Sequence, residues 1–440
     1  GNFLNWATMT RIDVVRKTLY GGYRREDTLG TTTLEMAQMS HDAHAFVKYY
    51  SGSDIDDFTP FTLAGDLGGK GLTLCSRGAS GSDTGVNSYP VIRLAKGNFS
   101  LWATTPGTVC NWARERNYSF GVKARLFYAK YGPSRGRLVG GEVDPTAHAV
   151  AVPSDETDGA TYGPEGGKIG NELAVRVQAC KADLVGNERC RAYRNPNGSA
   201  SDPAVLKPIG LLQEFATTSA PEQAALAEFG LITGSYDSNL RGGVLRKNIG
   251  SVNDEVDLYS GRFCHNVLDK LSNCAQTASS DQVAAGIIVS FDRIRLYGAG
   301  NYNGTVLRSG AARPSNPPDI EYLRPQDMVN GDHASWGNPI SEMIVQALAY
   351  FAGDTQLGIA SQNWPRDTEV GLPTPKRDGS GTVIAVDPLD DANSKDPATQ
   401  RPRSSMYGKG ICRPMNVLAI SSGTVSYDTD EPGSSDDIYD

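Results

Sequence analysis

The sequence predicts an α/β protein, an open parallel sheet with helices that is interrupted by a large β-rich insertion. Three observations predict it. An amphipathic helix opens the chain at residues 1–22, a second occupies 338–353, and the apolar run MNVLAIS at 415–421 stops at Ser-Ser-Gly as a buried parallel strand does. Ligands of such sheets bind beyond the carboxyl ends of the strands, which points to Ser421, Ser422 and Gly423; a core strand entering a turn is the competing reading. At 440 residues the chain exceeds the size at which one hydrophobic core keeps growing, so two domains, or one domain with a long insertion, are expected.

The first element reads as a single helix. Leu4, Thr8, Ile12, Val15 and Leu19 fall three or four residues apart and share one stripe, while Arg11, Asp13, Arg16 and Lys17 lie off it. Gly21-Gly22 ends the helix where the chain must leave through positive φ. Residues 1–50 read as helical and form the first part of the α/β domain. Residues 51–330 are rich in Gly, Ser and short alternating runs, with candidate strands at 118–129, 172–180 and 286–298, and read as the β-rich insertion. No fixed repeat argues for a propeller or solenoid. Residues 331–440 form the second part, with an acidic tail. Its helix has Asn338 as N-cap, Pro339 at the first turn, Gly353 as terminator, and an apolar stripe of Ile340, Met343, Ile344, Ala347, Leu348 and Phe351. A long polar loop spans 377–410 before the 415–421 strand.

Composition excludes some functions. The net charge is −8, and six acidic residues after 427, with no Lys or Arg among them, supply most of it, so the body is nearly neutral. With no basic block to neutralise phosphates, nucleic-acid binding is set aside. No run approaches the roughly 18 apolar residues that a membrane helix needs. Seven cysteines stand at 75, 110, 180, 190, 264, 274 and 412. The spacing suits short disulfide loops, Cys180 with Cys190 and Cys264 with Cys274, and a looser Cys75–Cys110 pair; zinc ligation competes, but there is no CxxC motif. Cys412 is left over, either for a partner elsewhere or as a buried thiol. Oxidised cysteines imply a periplasmic or extracellular location.

Catalytic motifs are absent. There is no HExxH, GxSxG or GxxxxGK[ST]; GDLGGKG at 65–71 and YGAGNYNG at 297–304 read as glycine-rich turns. His41 and His44 share a helical face but lack a third ligand, and His333 has no neighbouring nucleophile. The acidic clusters Asp254-Glu255-Asp257 and Asp387-Asp390-Asp391 lack EF-hand spacing and read as solvated loops.

Longer phrases carry more information. GNFLNWATMTRIDVVRKTLYGG (1–22), KPIGLLQ (207–213), FGLITGSY (229–236), GGVLRKNIGS (242–251), WGNPISEMIVQALAYFAG (336–353) and NVLAISSGTVSYD (416–428) together resemble the amino-terminal half of the PilY family, the type IV pilus tip-associated adhesins and assembly factors. The resemblance implies an incomplete von Willebrand factor A-like (Rossmann-like) parallel sheet, whose first strand, with an Asp-x-Ser-x-Ser signature, lies upstream of residue 1. It also implies a divalent cation, Mg or Ca, with Asn338 and Ser422 at the positions of the family's Thr and Asp, and Asp428 as a substitute carboxylate. Neither Asn338 nor Ser422 brings a charge.

On this reading the protein is a non-enzymatic pilus component that crosses the periplasm and acts at the cell surface on the pilus tip. It would prime assembly with minor pilins and attach to host or abiotic surfaces. Two alternatives are a secreted polysaccharide-active hydrolase, suggested by scattered carboxylates and aromatic residues, and a metal-dependent ligand-binding module.

Overall fold

The computed structural model describes residues 2–37, 45–78, 90–99, 102–103, 110, 138–139, 142–143, 168–193, 204–215, 226–240, 242–250, 252–253, 255–264, 286–294, 338–351, 367, 371–373 and 416–421. The chain divides into two compact units. Unit 1 comprises Gly1–Thr10, Met36–Arg176 and Arg295–Met328, and unit 2 comprises Arg11–Glu35, Val177–Ile294 and Val329–Asp440.

In chain order the amino-terminal elements are α1 (Asn2–Thr8), α2 (Arg11–Tyr20), β1 (Arg24–Asp27), β2 (Thr32–Glu35), β3 (Phe46–Tyr50), β4 (Leu72–Gly78) and β5 (Pro90–Lys96). The middle holds β6 (Leu138–Val139), β7 (Glu142–Val143), β8 (Lys168–Leu173), β9 (Arg176–Ala179), β10 (Cys190–Tyr193), β11 (Val205–Pro208) and α3 (Leu211–Phe215). Then come β12 (Phe229–Thr233), β13 (Val244–Gly250), α4 (Ile287–Arg293) and α5 (Ile340–Phe351).

Unit 1 is built on a four-stranded antiparallel sheet ordered β3-β4-β5-β8. Alternation along β4 separates two faces. Leu72 and Leu74 join Ile92, Leu94, Ile55, Leu67 and Ala7 of α1 in an aliphatic core. Cys75 turns to the other face and packs with Ala95, Trp102 and Cys110. Most of β5 is therefore buried on both sides. The disulfide Cys75–Cys110 holds the second cover in place, and Arg93 adds a hydrogen bond of 2.9 Å from its guanidinium to the Cys110 carbonyl.

Unit 2 has a β1-β2-β9 sheet and the hairpins β10–β11 and β12–β13. Its apolar core gathers Tyr20, Leu212, Val252, Val256, Phe263, Ile287 and Ile288. The buried face of α2 is polar: Asp13, Arg16 and Tyr20, spaced three and four apart. Arg16 donates to the carbonyls of Phe291 and Ile294 at the end of α4, and the Tyr20 hydroxyl donates to Asp292 at 2.7 Å. These partners explain why the apolar stripe expected from periodicity is not the one buried. Nor does one helix span 1–22; it breaks between α1 and α2, and residues 23–50 hold β1, β2 and β3 instead of helix.

The predicted parallel, von Willebrand factor A-like sheet is not what the chain forms. Among the described residues the resolved pairings β1–β2, β3–β4, β4–β5, β5–β8, β6–β7, β10–β11 and β12–β13 are all antiparallel, and no parallel, Rossmann-like sheet is present. Most pairs join sequence neighbours, whereas parallel pairing needs a crossover that carries the chain back along the sheet. The run expected as a buried central strand, described over 416–421, forms no strand and is exposed, Leu418 by 78%. The 286–298 run, expected as a strand, begins as helix α4; its short β-branched apolar stretch fits either period. What selects the helix is remote: both carboxylate oxygens of Glu255 accept the amides of Ile287 and Ile288, at 2.9 and 2.8 Å. The 172–180 strand is split between β8 and β9, and 118–129 lies outside the described residues. Among the described residues no helix is long and apolar enough to cross a membrane.

Two glycines let backbones cross closely at the end of α2. Gly21 has φ +92°, and a Cβ there would lie 2.7 Å from the Pro208 carbonyl; a Cβ at Gly210 would collide with the backbone of Leu19 and Tyr20. Gly210→Ala should therefore lose more than about 1 kcal/mol in urea unfolding, while Gly30→Ala, with open space around it, stays within about 0.5 kcal/mol. A second expectation concerns Tyr20, whose phenol is held well above its ordinary value by burial and by the Asp292 carboxylate. The unfolded phenol ionises near pH ~10 while the folded one stays protonated, so this contribution is complete below that pH and is lost above it. The slope is about 1.4 kcal/mol per pH unit until the folded phenol ionises. Urea midpoints measured on the alkaline side should fall less steeply in Tyr20→Phe than in the parent.

Candidate functional site

The predicted helix at 338–353 occurs as α5, and it lies along the β12–β13 hairpin through a polar stripe. Glu342, Gln346 and Tyr350 stand four residues apart on one face. Glu342 accepts the Gly242 amide at 2.5 Å, Gln346 accepts the Gly243 amide at 2.6 Å, and the Tyr350 hydroxyl accepts the Ile249 amide at 3.0 Å. Only Glu342 and Tyr350 of this helix are buried, and Leu348 of the predicted apolar stripe is exposed. Helix side chains thus satisfy hairpin amides that would otherwise lack partners away from water.

Beside this contact sits a wholly buried ion pair, Arg246 of β13 with Asp367 at 2.8 Å. The same guanidinium donates to the carbonyls of Gly234 and Pro373 and to the Thr233 hydroxyl. Asp367 in turn accepts the Tyr236 amide at 2.9 Å. The turn after β12, the start of β13, Asp367 and Pro373 are thereby joined at one point. Among the described residues the two charges are directed at each other, at the Thr233 hydroxyl and at backbone groups.

The carboxamide nitrogen of Asn338 donates to the Ser421 hydroxyl at 2.9 Å, which brings the front of α5 to the end of the 416–421 segment. The predicted cation site was placed at this junction, with Asn338, Ser422 and Asp428. Ser422 and Asp428 lie outside the described residues. Asn338, the described member, donates there through its amide nitrogen, and no group of three His, Cys, Asp or Glu ligand atoms gathers there among the described residues. The one such group described is Cys180, Glu188 and Cys190, and its sulfurs are bonded to each other. Glu188 accepts the Cys180 amide at 3.1 Å and pairs with Lys17 at 2.5 Å, so its carboxylate serves the loop.

The structure joins Cys75 to Cys110 and Cys180 to Cys190. Cys264 is also disulfide-bonded, and Cys274 lies outside the described residues. All five histidines of the chain lie outside them too. The glycine-rich stretch at 65–71 is a turn, as its spacing implied. The acidic cluster around 255 is not a solvated loop: Glu255 caps α4, and Asp257 is buried against the amide of Ser260 at 2.9 Å. Sequence reasoning missed the polar stripe of α5, whose only local signal is the four-residue spacing of Glu342, Gln346 and Tyr350.

Two family models match the chain. One, described as PilY1 homolog, small alpha/beta domain, covers residues 1–95; the other, described as PilY1 homolog, second domain, covers 229–439. A protein of Xylella fastidiosa strain Temecula1 named Type IV pilus biogenesis factor PilY1 homolog is 27% identical over 444 residues, covering 99% of this chain and 24% of that protein. A second match under the same name and organism is 28% identical over 218 residues, 49% of this chain and 12% of that protein. The chain thus spans about a quarter or less of the length of these curated relatives. No solved structure matches.

The two described disulfides close loops of different size, with sequence separations of 35 and 10. Loop-closure entropy makes the longer one worth about 1 kcal/mol more, within a range of roughly 2–4 kcal/mol each. Paired Cys→Ser replacement at 75 and 110 should lower the urea midpoint further than replacement at 180 and 190. Mass spectrometry of unreduced digests should recover both linked peptide pairs.

Proposed function

Because the chain belongs to the PilY1 family, we propose that it is the portion of a type IV pilus biogenesis factor that works by binding partners and surfaces, without catalysing a reaction. The observation that carries this reading is the alignment of a named pilus biogenesis factor along 99% of the chain, through both units. The chemistry of the described residues supports it. The buried carboxylates Glu342, Asp367 and Glu255 accept from backbone amides, an arrangement that fixes segments. Disulfides in both units support an exported protein, oxidised in the periplasm and displayed at the cell surface. In this role the protein meets minor pilins at the fibre tip, primes assembly and attaches to host or abiotic surfaces.

The test is made in the source bacterium with an epitope-tagged copy. The protein should co-purify with minor pilins after mild cross-linking, and its deletion should reduce surface pili several-fold. Normal piliation in the deletion strain, together with absence of the tagged chain from pilus preparations, would overturn the proposal.

A further inference from the structure

Rings from three separated segments of unit 1 meet in one cluster. Phe3 and Trp6 come from α1, Tyr50 ends β3, and Phe58 follows the 3-10 turn Ile55–Asp57. Phe3 and Phe58 stack with planes 7° apart and centroids 5.4 Å apart, and Trp6 lies 5.6 Å from Phe3. Tyr50 meets Phe3, Trp6 and Phe58 edge-on at 5.6, 5.9 and 6.1 Å. Phe3 and Tyr50 also pack on the aliphatic core, which accounts for them. Trp6 and Phe58, which both rest on Phe3 and Tyr50, remain 42% and 46% exposed, and the core does not account for these two rings in water.

The polar groups at the cluster have opposite signs. The Lys48 ammonium stands 5.8 Å from the Trp6 ring centre. On the other side the Tyr50 hydroxyl donates to Asp54 at 2.6 Å, and Asp56 and Asp57 are exposed in the turn that delivers Phe58. A cationic segment laid across these rings is repelled at Lys48, and an anionic one at the aspartates. A wholly apolar segment strips water from both without replacing it. A neutral sugar ring meets all three conditions. Its C–H face lies on the electron-rich ring surfaces, and its hydroxyls accept from the ammonium and donate to the carboxylates.

We propose that Trp6, Phe3 and Phe58, flanked by Lys48 and Asp54, form a binding platform for a neutral saccharide. The biological use of this site rests on the surface-contact reading above, while the binding itself is a property of the purified chain. The test titrates the full chain with cellohexaose, maltohexaose and chitohexaose, and in parallel with tetralysine, following heat and tryptophan emission. At least one hexasaccharide should bind saturably with a dissociation constant of about 1 mM or lower. Trp6→Ala and Phe58→Ala should each weaken it roughly tenfold or more, and Phe58→Tyr should retain it. Near-UV circular dichroism checks the fold, and if Trp6→Ala unfolds, Phe58→Ala at the more exposed ring carries the test. The proposal is overturned if no hexasaccharide binds, if binding is unchanged in the folded alanine variants, or if tetralysine binds in their place. No pili are present in this assay, so its failure leaves the pilus result standing, and the reverse also holds.

Discussion

Unit 2 depends on one buried carboxylate. Asp27, at the end of β1, accepts from Arg24 at 3.0 Å, from Lys207 of β11 at 3.0 Å and from the Phe263 amide at 2.8 Å. Arg24 lies over the Phe263 ring at 3.7 Å and donates to the carbonyls of Pro208 and Gly261. Burial pushes the Lys207 ammonium down, and Asp27 opposes that shift. Taking such charges out of water costs several kcal/mol per ion, which pairing offsets only when every lone pair and proton finds a partner. The network therefore adds little net stability. It joins residues near 25, 207 and 262 at one carboxylate, and misplacement of either cation leaves an uncompensated buried charge.

This dependence explains what could be read from the sequence. Helix α5 was legible because its signals are local, with Asn338 and Pro339 before it and an apolar-rich run through it. Its buried face was not, because Glu342 and Gln346 find their partners at Gly242 and Gly243, a hundred residues away. Helix α2 repeats the lesson: periodicity placed Arg16 outward, and the carbonyls of Phe291 and Ile294 hold it inward. A moment computed from hydropathy treats arginine as a surface residue, and only the fold reveals the acceptors that make its burial tolerable. The parallel sheet was misread for a related reason. An apolar run such as 415–421 states that burial suits it, yet says nothing of which strand is available to pair with it.

Three of the phrases that carried the family resemblance supply buried polar contacts of unit 2. KPIGLLQ supplies Lys207 for Asp27, Gly210 for the close crossing with α2, and Gln213, whose amide donates to the Tyr20 carbonyl at 2.9 Å. FGLITGSY supplies Thr233 and Tyr236 for the Arg246–Asp367 centre, and GGVLRKNIGS supplies Arg246 with the two glycine amides that α5 reads. A position that must be both charged and buried against a particular carbonyl admits few replacements. Aliphatic core positions tolerate exchange at similar volume, so they lend a family less of its signature.

Unit 1 solves a different problem, which is how to keep large rings in water without loosening the sheet beneath. Its strands β4 and β5 are covered on both faces, whereas an antiparallel sheet commonly leaves one face solvated. The aliphatic cover includes α1, and the opposite cover includes Trp102 and Cys110, held by Cys75–Cys110 and by Arg93. With both faces sealed, Phe3 and Tyr50 can root in the core while Trp6 and Phe58 extend from them. Trp6 and Phe58 thus rest on rings that the core already holds.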